Sequence, residues 1–191
     1  MAHVTIIGTG NMAQAISSVV SKGGNTVELF GQSDADQQIT GEIVVLAVPY
    51  PAVADVVAQR RDQLAGKVVV DITNPLNFET FDSLVVPADG SAADEIATGL
   101  PEARVLKAFN TTFAGTVASG TIGGLPTTVL IAGDDADAKS LLAGIVTAGG
   151  LRAIDVGALT RARELEALGF LQLTLAANEK VAWTGGFATV A

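Results

Sequence analysis

The feature that most constrains the fold lies at the start of the chain. An apolar run at residues 4–7 leads straight into Gly8-Thr9-Gly10-Asn11-Met12-Ala13, and helix-forming sequence follows at once. Strand, glycine turn and helix in that order make the dinucleotide-binding fingerprint in its structural setting. Gly8 supplies the tight turn. Gly10 lets the backbone approach a pyrophosphate, and Ala13 lets the helix pack closely on the strand. The helix N-terminus adds free N–H groups and partial positive charge. Gly8, Thr9, Gly10, Asn11, Met12 and Ala13 are therefore expected to bind a cofactor.

The rest of the chain alternates in the same way. Strands are expected at 26–30, 43–48, 67–72, 104–109, 127–132 and 152–156. Helices are expected at 12–22, at 51–64, from a cap at Ser91 to 97, and at 136–146 behind Asp134 or Asp135. About a dozen residues join the second and third strands, so the crossover helix there should shrink to a turn. The last helix, about 160–179, is apolar on more than one side. It is expected to pack on the sheet and on a second copy of the chain. This pattern predicts an α/β fold, a Rossmann-type doubly wound, mostly parallel sheet with a long C-terminal helix.

Composition narrows the partners. The chain has 191 residues, 49% of them hydrophobic, enough for a single domain over 1–191. Its net charge is -9 and its pI about 4.4, which suits neither nucleic acid nor an anionic membrane. There is no cysteine, hence no disulfide or thiolate chemistry. No basic leader precedes an apolar core, and no apolar run reaches spanning length. A cytoplasmic, soluble protein is expected.

Ligands of such sheets bind beyond the carboxyl ends of the strands, near the switch in strand order. Segments 47–50, 71–75 and 108–112 should line that edge. Asn74 and Asn110 can orient a nicotinamide amide or an acceptor ring there, while Val48, Pro49 and Pro75 shape the cleft. His3 precedes the first strand, away from the glycine turn, and reads as structural. Asp134, Asp135 and Asp137 read as helix-dipole partners, and no metal site is expected. Lys107 is either a general acid or, by strand alternation, turned away from the site. The tail at 183–187, with Trp183 and Phe187, reads as a packing anchor, unless a partner chain's tail reaches an active site.

Several segments, in order, resemble the coenzyme F420-dependent NADP oxidoreductase family. They are Gly8-Thr9-Gly10-Asn11-Met12, the runs at 44–50 and 66–75, Ser91-Ala92-Ala93, the run at 105–111, Gly133-Asp134-Asp135 and the run at 161–166. The resemblance implies a Rossmann-type reductase exchanging a hydride between NADP(H) and a deazaflavin, usually as a homodimer. One place departs from the family pattern. The turn that usually carries a basic pair for the 2′-phosphate reads Gly31-Gln32-Ser33-Asp34, and no Lys or Arg occurs between Gly23 and Gln59. Gln32 and Ser33 are the candidate neutral partners for that phosphate or a ribose hydroxyl, and NAD stays open beside NADP. Asp34 reads as a turn cap. No acid or base stands out at the binding edge, which agrees with direct hydride transfer to a deazaflavin or flavin. Two alternatives remain. One is reduction of a small imine or carbonyl, since the first residues also resemble pyrroline-5-carboxylate reductases. The other is a non-catalytic dinucleotide sensor, or an electron-transfer module that works with a partner.

Overall fold

The computed structural model describes residues 1–190. Its central sheet has seven strands in the order β2-β1-β3-β4-β5-β8-β9. The first five are β1 (His3–Ile7), β2 (Thr26–Phe30), β3 (Ile43–Leu46), β4 (Val68–Asp71) and β5 (Arg104–Lys107). The pairings among these five are all parallel. Every residue of β3 and β4 is buried, as parallel strands covered on both faces require. The order reverses between β1 and β3, which opens a crevice at their carboxyl ends.

Helices α1 (Asn11–Lys22), α4 (Ala114–Ser119) and α5 (Ala136–Ala148) cover one face. Their apolar residues interlock with Val4, Ile6, Val45, Val70, Leu106 and Ile131. Helices α2 (Tyr50–Leu64) and α3 (Ala92–Gly99) cover the other, with the start of α6 (Ala162–Ala177). There Val53, Val57, Leu64, Ile96 and Ala162 pack on Val44, Leu46, Val69 and Val105. Ser91 caps α3 by accepting from the Asp94 N–H, and Asp135, rather than Asp134, caps α5. Asp134 accepts from the Leu159 N–H instead.

The second crossover is a single 3-10 turn, Gln32–Asp34, as its length requires. Three features depart from the sequence reading. First, β8 (Thr128–Gly133) pairs antiparallel with β5 and parallel with β9 (Arg152–Gly157). The connection through α4 and a hairpin, β6 (Thr121–Ile122) and β7 (Leu125–Pro126), stays at the cleft end of the sheet. The chain therefore re-enters from that end. Neither α4 nor the hairpin is expected from sequence, because both are too short for a periodic signal, although Gly123-Gly124 marks the turn. Second, β5 stops two residues early. Phe109 adopts φ 62, a left-handed conformation that costs a bulky residue about 1–2 kcal/mol. Third, the last helix is shorter than 160–179, because a 3-10 turn, Leu159–Arg161, precedes α6.

Candidate functional site

The glycine turn sits at the carboxyl ends of β1 and β3. Gly8 has φ 130, and a Cβ there would strike the carbonyl oxygen of Ala47 at the end of β3. The close pairing of two central strands thus demands glycine. Gly10 differs: a Cβ there meets nothing within 4 Å, and its φ of -72 suits any residue. It is the N-cap of α1, and no side chain caps that helix. The first-turn amides of Asn11, Met12 and Ala13 therefore have no intrahelical acceptor, and the space in front of Gly10 is open. This cradle fits a pyrophosphate.

The turn after β2 lies beside it. Gln32 and Ser33 are exposed. Asp34 is occupied within the turn: its carboxylate accepts from the Gly31 N–H at 2.7 Å and from the Gln37 amide at 2.8 Å. A cation reaches the turn from α2. Arg60 of α2 is buried, lies 5.2 Å above the Phe30 ring and donates to the carbonyls of Asp34 and Gln37. It braces the turn from beneath. Only the fold brings it there, because it lies 26 residues beyond Asp34.

Beyond the turn opens a cleft of about 570 Å³. Its walls include Asn11, Met12, Val48, Pro49, Asn74 and Asn110. Gly8, Thr9, Gly10, Ala13, Gln32, Ser33 and Pro75 do not line it. All but Pro75 belong to the adjoining glycine turn, the first turn of α1 and the turn after β2, while Pro75 is buried and its peptide is trans. The two asparagines hold each other. The Asn110 amide donates to Asn74 Oδ1 at 3.1 Å and to the Leu165 carbonyl at 2.8 Å, and the Asn74 amide donates to the Asn110 carbonyl at 3.1 Å. The left-handed turn at Phe109 aims Asn110 at α6, where Gly169 meets the pair. A Cβ on Gly169 would collide with Asn74 Oδ1 and come within 2.9 Å of the Asn110 amide nitrogen. A mid-helix glycine costs about 1 kcal/mol of helix propensity, and here it admits the asparagines.

None of the cleft-lining residues carries a formal charge. The one titratable group among them is Tyr50, whose hydroxyl donates to Glu95 at 2.6 Å. Burial, and then Glu95, push that phenol well above its ordinary range. Lys107 is not in the cleft. It is fully buried on the face under α3 and α6, where its ammonium donates at 2.7 Å each to Asp71, to Glu166 and to the Thr73 carbonyl. Glu166 also accepts from the Ala92 and Ala93 N–H groups at the start of α3. Of the two roles left open for Lys107, the structure selects the one turned away from the site. His3 lies at the amino end of β1, between Thr26 and Thr40.

Sequence reasoning missed Phe78, Phe113, Ala114, Gly115 and Leu173, which also line the cleft. They come from a loop, the unexpected α4 and α6, and no local pattern marks them. Trp183 lines it too, although the tail was read as an anchor.

Comparison with known proteins identifies the family. A family model described as "NADP oxidoreductase coenzyme F420-dependent" matches residues 25–75. An F420-dependent NADP reductase of Methanothermobacter thermautotrophicus is 32% identical over 187 residues, 92% of this chain and 80% of that protein. One from Methanocaldococcus jannaschii is 29% identical over 91% of this chain and 79% of that protein. A crystal structure from Arthrobacter sp. FB24, provisionally described as an F420-dependent NADP reductase, superposes with a TM-score of 0.88. It is 25% identical, and each chain is covered completely.

Proposed function

Because this chain belongs to the coenzyme F420-dependent NADP oxidoreductase family, we propose that its uncharged cleft aligns NADP(H) with a deazaflavin for direct hydride exchange. The enzyme is an NADP-dependent oxidoreductase with NADP and coenzyme F420 as its pair. NADPH bound here would supply a hydride to the deazaflavin ring, with the accompanying proton taken from solvent. The observation that carries the reading is the cleft itself: it adjoins an open nucleotide cradle and is lined without a charged group.

The chain's residues divide the work. Gly8, Thr9, Gly10, Asn11, Met12 and Ala13 hold the pyrophosphate, and Gln32 and Ser33 meet the adenosine ribose and its 2′-phosphate. Val48 and Pro49 shape the walls. Asn74, locked by Asn110, orients the reacting ring. Holding donor and acceptor carbons roughly 3–3.5 Å apart supplies most of the advantage, and no proton has to move at a side chain. Imine or carbonyl reduction would call for a positioned proton donor; Lys107 is sealed off from the cleft, and the Tyr50 hydroxyl is committed to Glu95.

The test is steady-state oxidation of NADPH by coenzyme F420. Turnover should be nearly flat between about pH 6 and 8, because Tyr50 is held above that range. Asn110→Ala should lower kcat more than it weakens NADPH binding, since it frees Asn74 and leaves the cradle intact. No turnover with F420, or a sharp pKa near neutrality, overturns the reading.

The cofactor turn yields a second expectation. Ser33→Arg places a cation where wild type offers only neutral groups. A charge-assisted contact is worth about 1.5–3 kcal/mol. NADPH preference over NADH should therefore rise about tenfold or more, measured as the ratio of kcat/KM values.

We also propose that the single domain works as a homodimer in the cytoplasm. No helix among the described residues is long and apolar enough to cross a membrane. The chain's acidity argues against nucleic acid as a partner. On α6, Gly169 and Gln172 face inward, while Leu171 is 50% exposed and shares the outer face with Leu168 and Leu175. A two-fold interface on that stripe buries it twice over. Leu171→Glu should convert a micromolar dimer into monomer by light scattering, and an active wild-type monomer removes this idea.

A further inference from the structure

Beyond α6 the chain turns back across the cleft, and its course there is fixed at several points. The Gln172 side chain is buried. It donates to the Thr111 carbonyl at 3.2 Å and accepts from the Phe187 N–H at 3.1 Å. Farther on, the Thr189 hydroxyl donates to Thr128 at 2.8 Å. Gly115, in the first turn of α4, lets the tail lie directly on it: a Cβ there would come within 3.1 Å of Thr184 and 3.3 Å of the Trp183 carbonyl. Between these ties the Trp183 ring stands 5.0 Å from that of Phe113, at 57°. Both rings line the cleft with Asn74 and Asn110. Yet Trp183 is 53% exposed. A large aromatic side chain held in place by its surroundings and still half uncovered offers contact area to a ligand.

We propose that Trp183 is the stacking face of the acceptor subsite, a positioning residue that receives the planar ring of the deazaflavin beside the Asn74–Asn110 pair. The inference rests on the hydride-transfer reading and adds a specificity determinant to it. The subsite walls are aromatic, aliphatic and neutral polar, so recognition falls on a flat, uncharged ring. Stacking tolerates variation in the ring's edge, as aromatic platforms for nucleobases do.

Trp183 is the only tryptophan in the chain, so its emission reports on this position alone. Oxidised coenzyme F420 added to the whole protein with NADP+ cannot turn over, and binding is read separately from the deazaflavin's own fluorescence anisotropy. Saturable quenching of tryptophan emission in step with that anisotropy is expected, with little change from NADP+ alone. Trp183→Leu should raise KM for coenzyme F420 about tenfold, about 1.4 kcal/mol, and leave NADPH affinity within twofold. Trp183→Phe should restore most of the loss, which a merely structural role for the indole would not do. Coenzyme F420 that binds and turns over without quenching, or an unchanged KM in Trp183→Leu, overturns the assignment and leaves the hydride-transfer reading standing. Quenching without turnover in wild type sinks that reading and supports the stacking site.

Discussion

Gly10→Glu is expected to fold as wild type and to lose NADPH affinity by about a hundredfold or more. The position is exposed, its φ is ordinary and a Cβ there meets nothing within 4 Å, so the fold has no objection to a side chain. The proposed ligand does. A carboxylate about 4 Å from a pyrophosphate charge is repelled by about 4 kcal/mol at an effective dielectric constant near 20. Each 1.4 kcal/mol is tenfold in affinity. The new side chain would also cover the uncapped amides of α1. Calorimetry with NADPH, beside a thermal melt, separates this from unfolding. Unchanged affinity in a folded Gly10→Glu protein would move the pyrophosphate away from this turn. Gly8→Ala makes the contrast: with φ 130 and the Ala47 carbonyl in the way, it should lose stability first.

Lys107→Met is expected to cost about 3–5 kcal/mol of stability. In a chain of this size that lowers the melting temperature on the order of 10 °C. The reason is the partners left behind. Asp71 and Glu166 are both fully buried, and Lys107 is the ammonium between them. Burial already pushes the Glu166 carboxyl above its ordinary range, with Lys107 opposing the shift. Without the ammonium the Glu166 carboxyl would be driven further up. A carboxyl with a raised folded pKa favours the fold while protonated, below its unfolded value. That contribution is lost as pH rises through the folded value. The deficit of Lys107→Met should therefore be smaller near pH 4 than at pH 7, as denaturant melts at the two values would report. A deficit that grows on acidification would sink the account.

The cluster sits directly beneath the strand ends that carry Thr73, Asn74 and Asn110. A loosened β4–β5 edge should lower turnover through alignment, with no new pKa in the rate profile.

The strand, glycine turn and helix at the start of the chain were legible because they are local. A strand, two glycines, an alanine and a helix within a dozen residues leave one way to fold, and the reason for each glycine is visible at short range. The alternation of apolar runs likewise implied a parallel sheet covered on both faces, and the short crossover implied the 3-10 turn at Gln32–Asp34. Asn74 and Asn110 could be placed at the binding edge, because each follows a strand.

Their partnership could not. It depends on a left-handed Phe109, on the Leu165 carbonyl and on a glycine in α6, all remote from Asn74 in sequence. The same holds for Lys107, whose two faces are equivalent to strand periodicity until Glu166 folds over one of them. Arg60 came to the cofactor turn from another helix, and Trp183 came to the cleft from a tail with no periodic pattern. The reversal of β8 followed from a helix and hairpin too short to register. Local sequence determined the glycine turn at which we propose that a dinucleotide lies. Contacts between distant segments decided what surrounds it, because side-chain packing and buried charge are satisfied only when the whole sheet has closed.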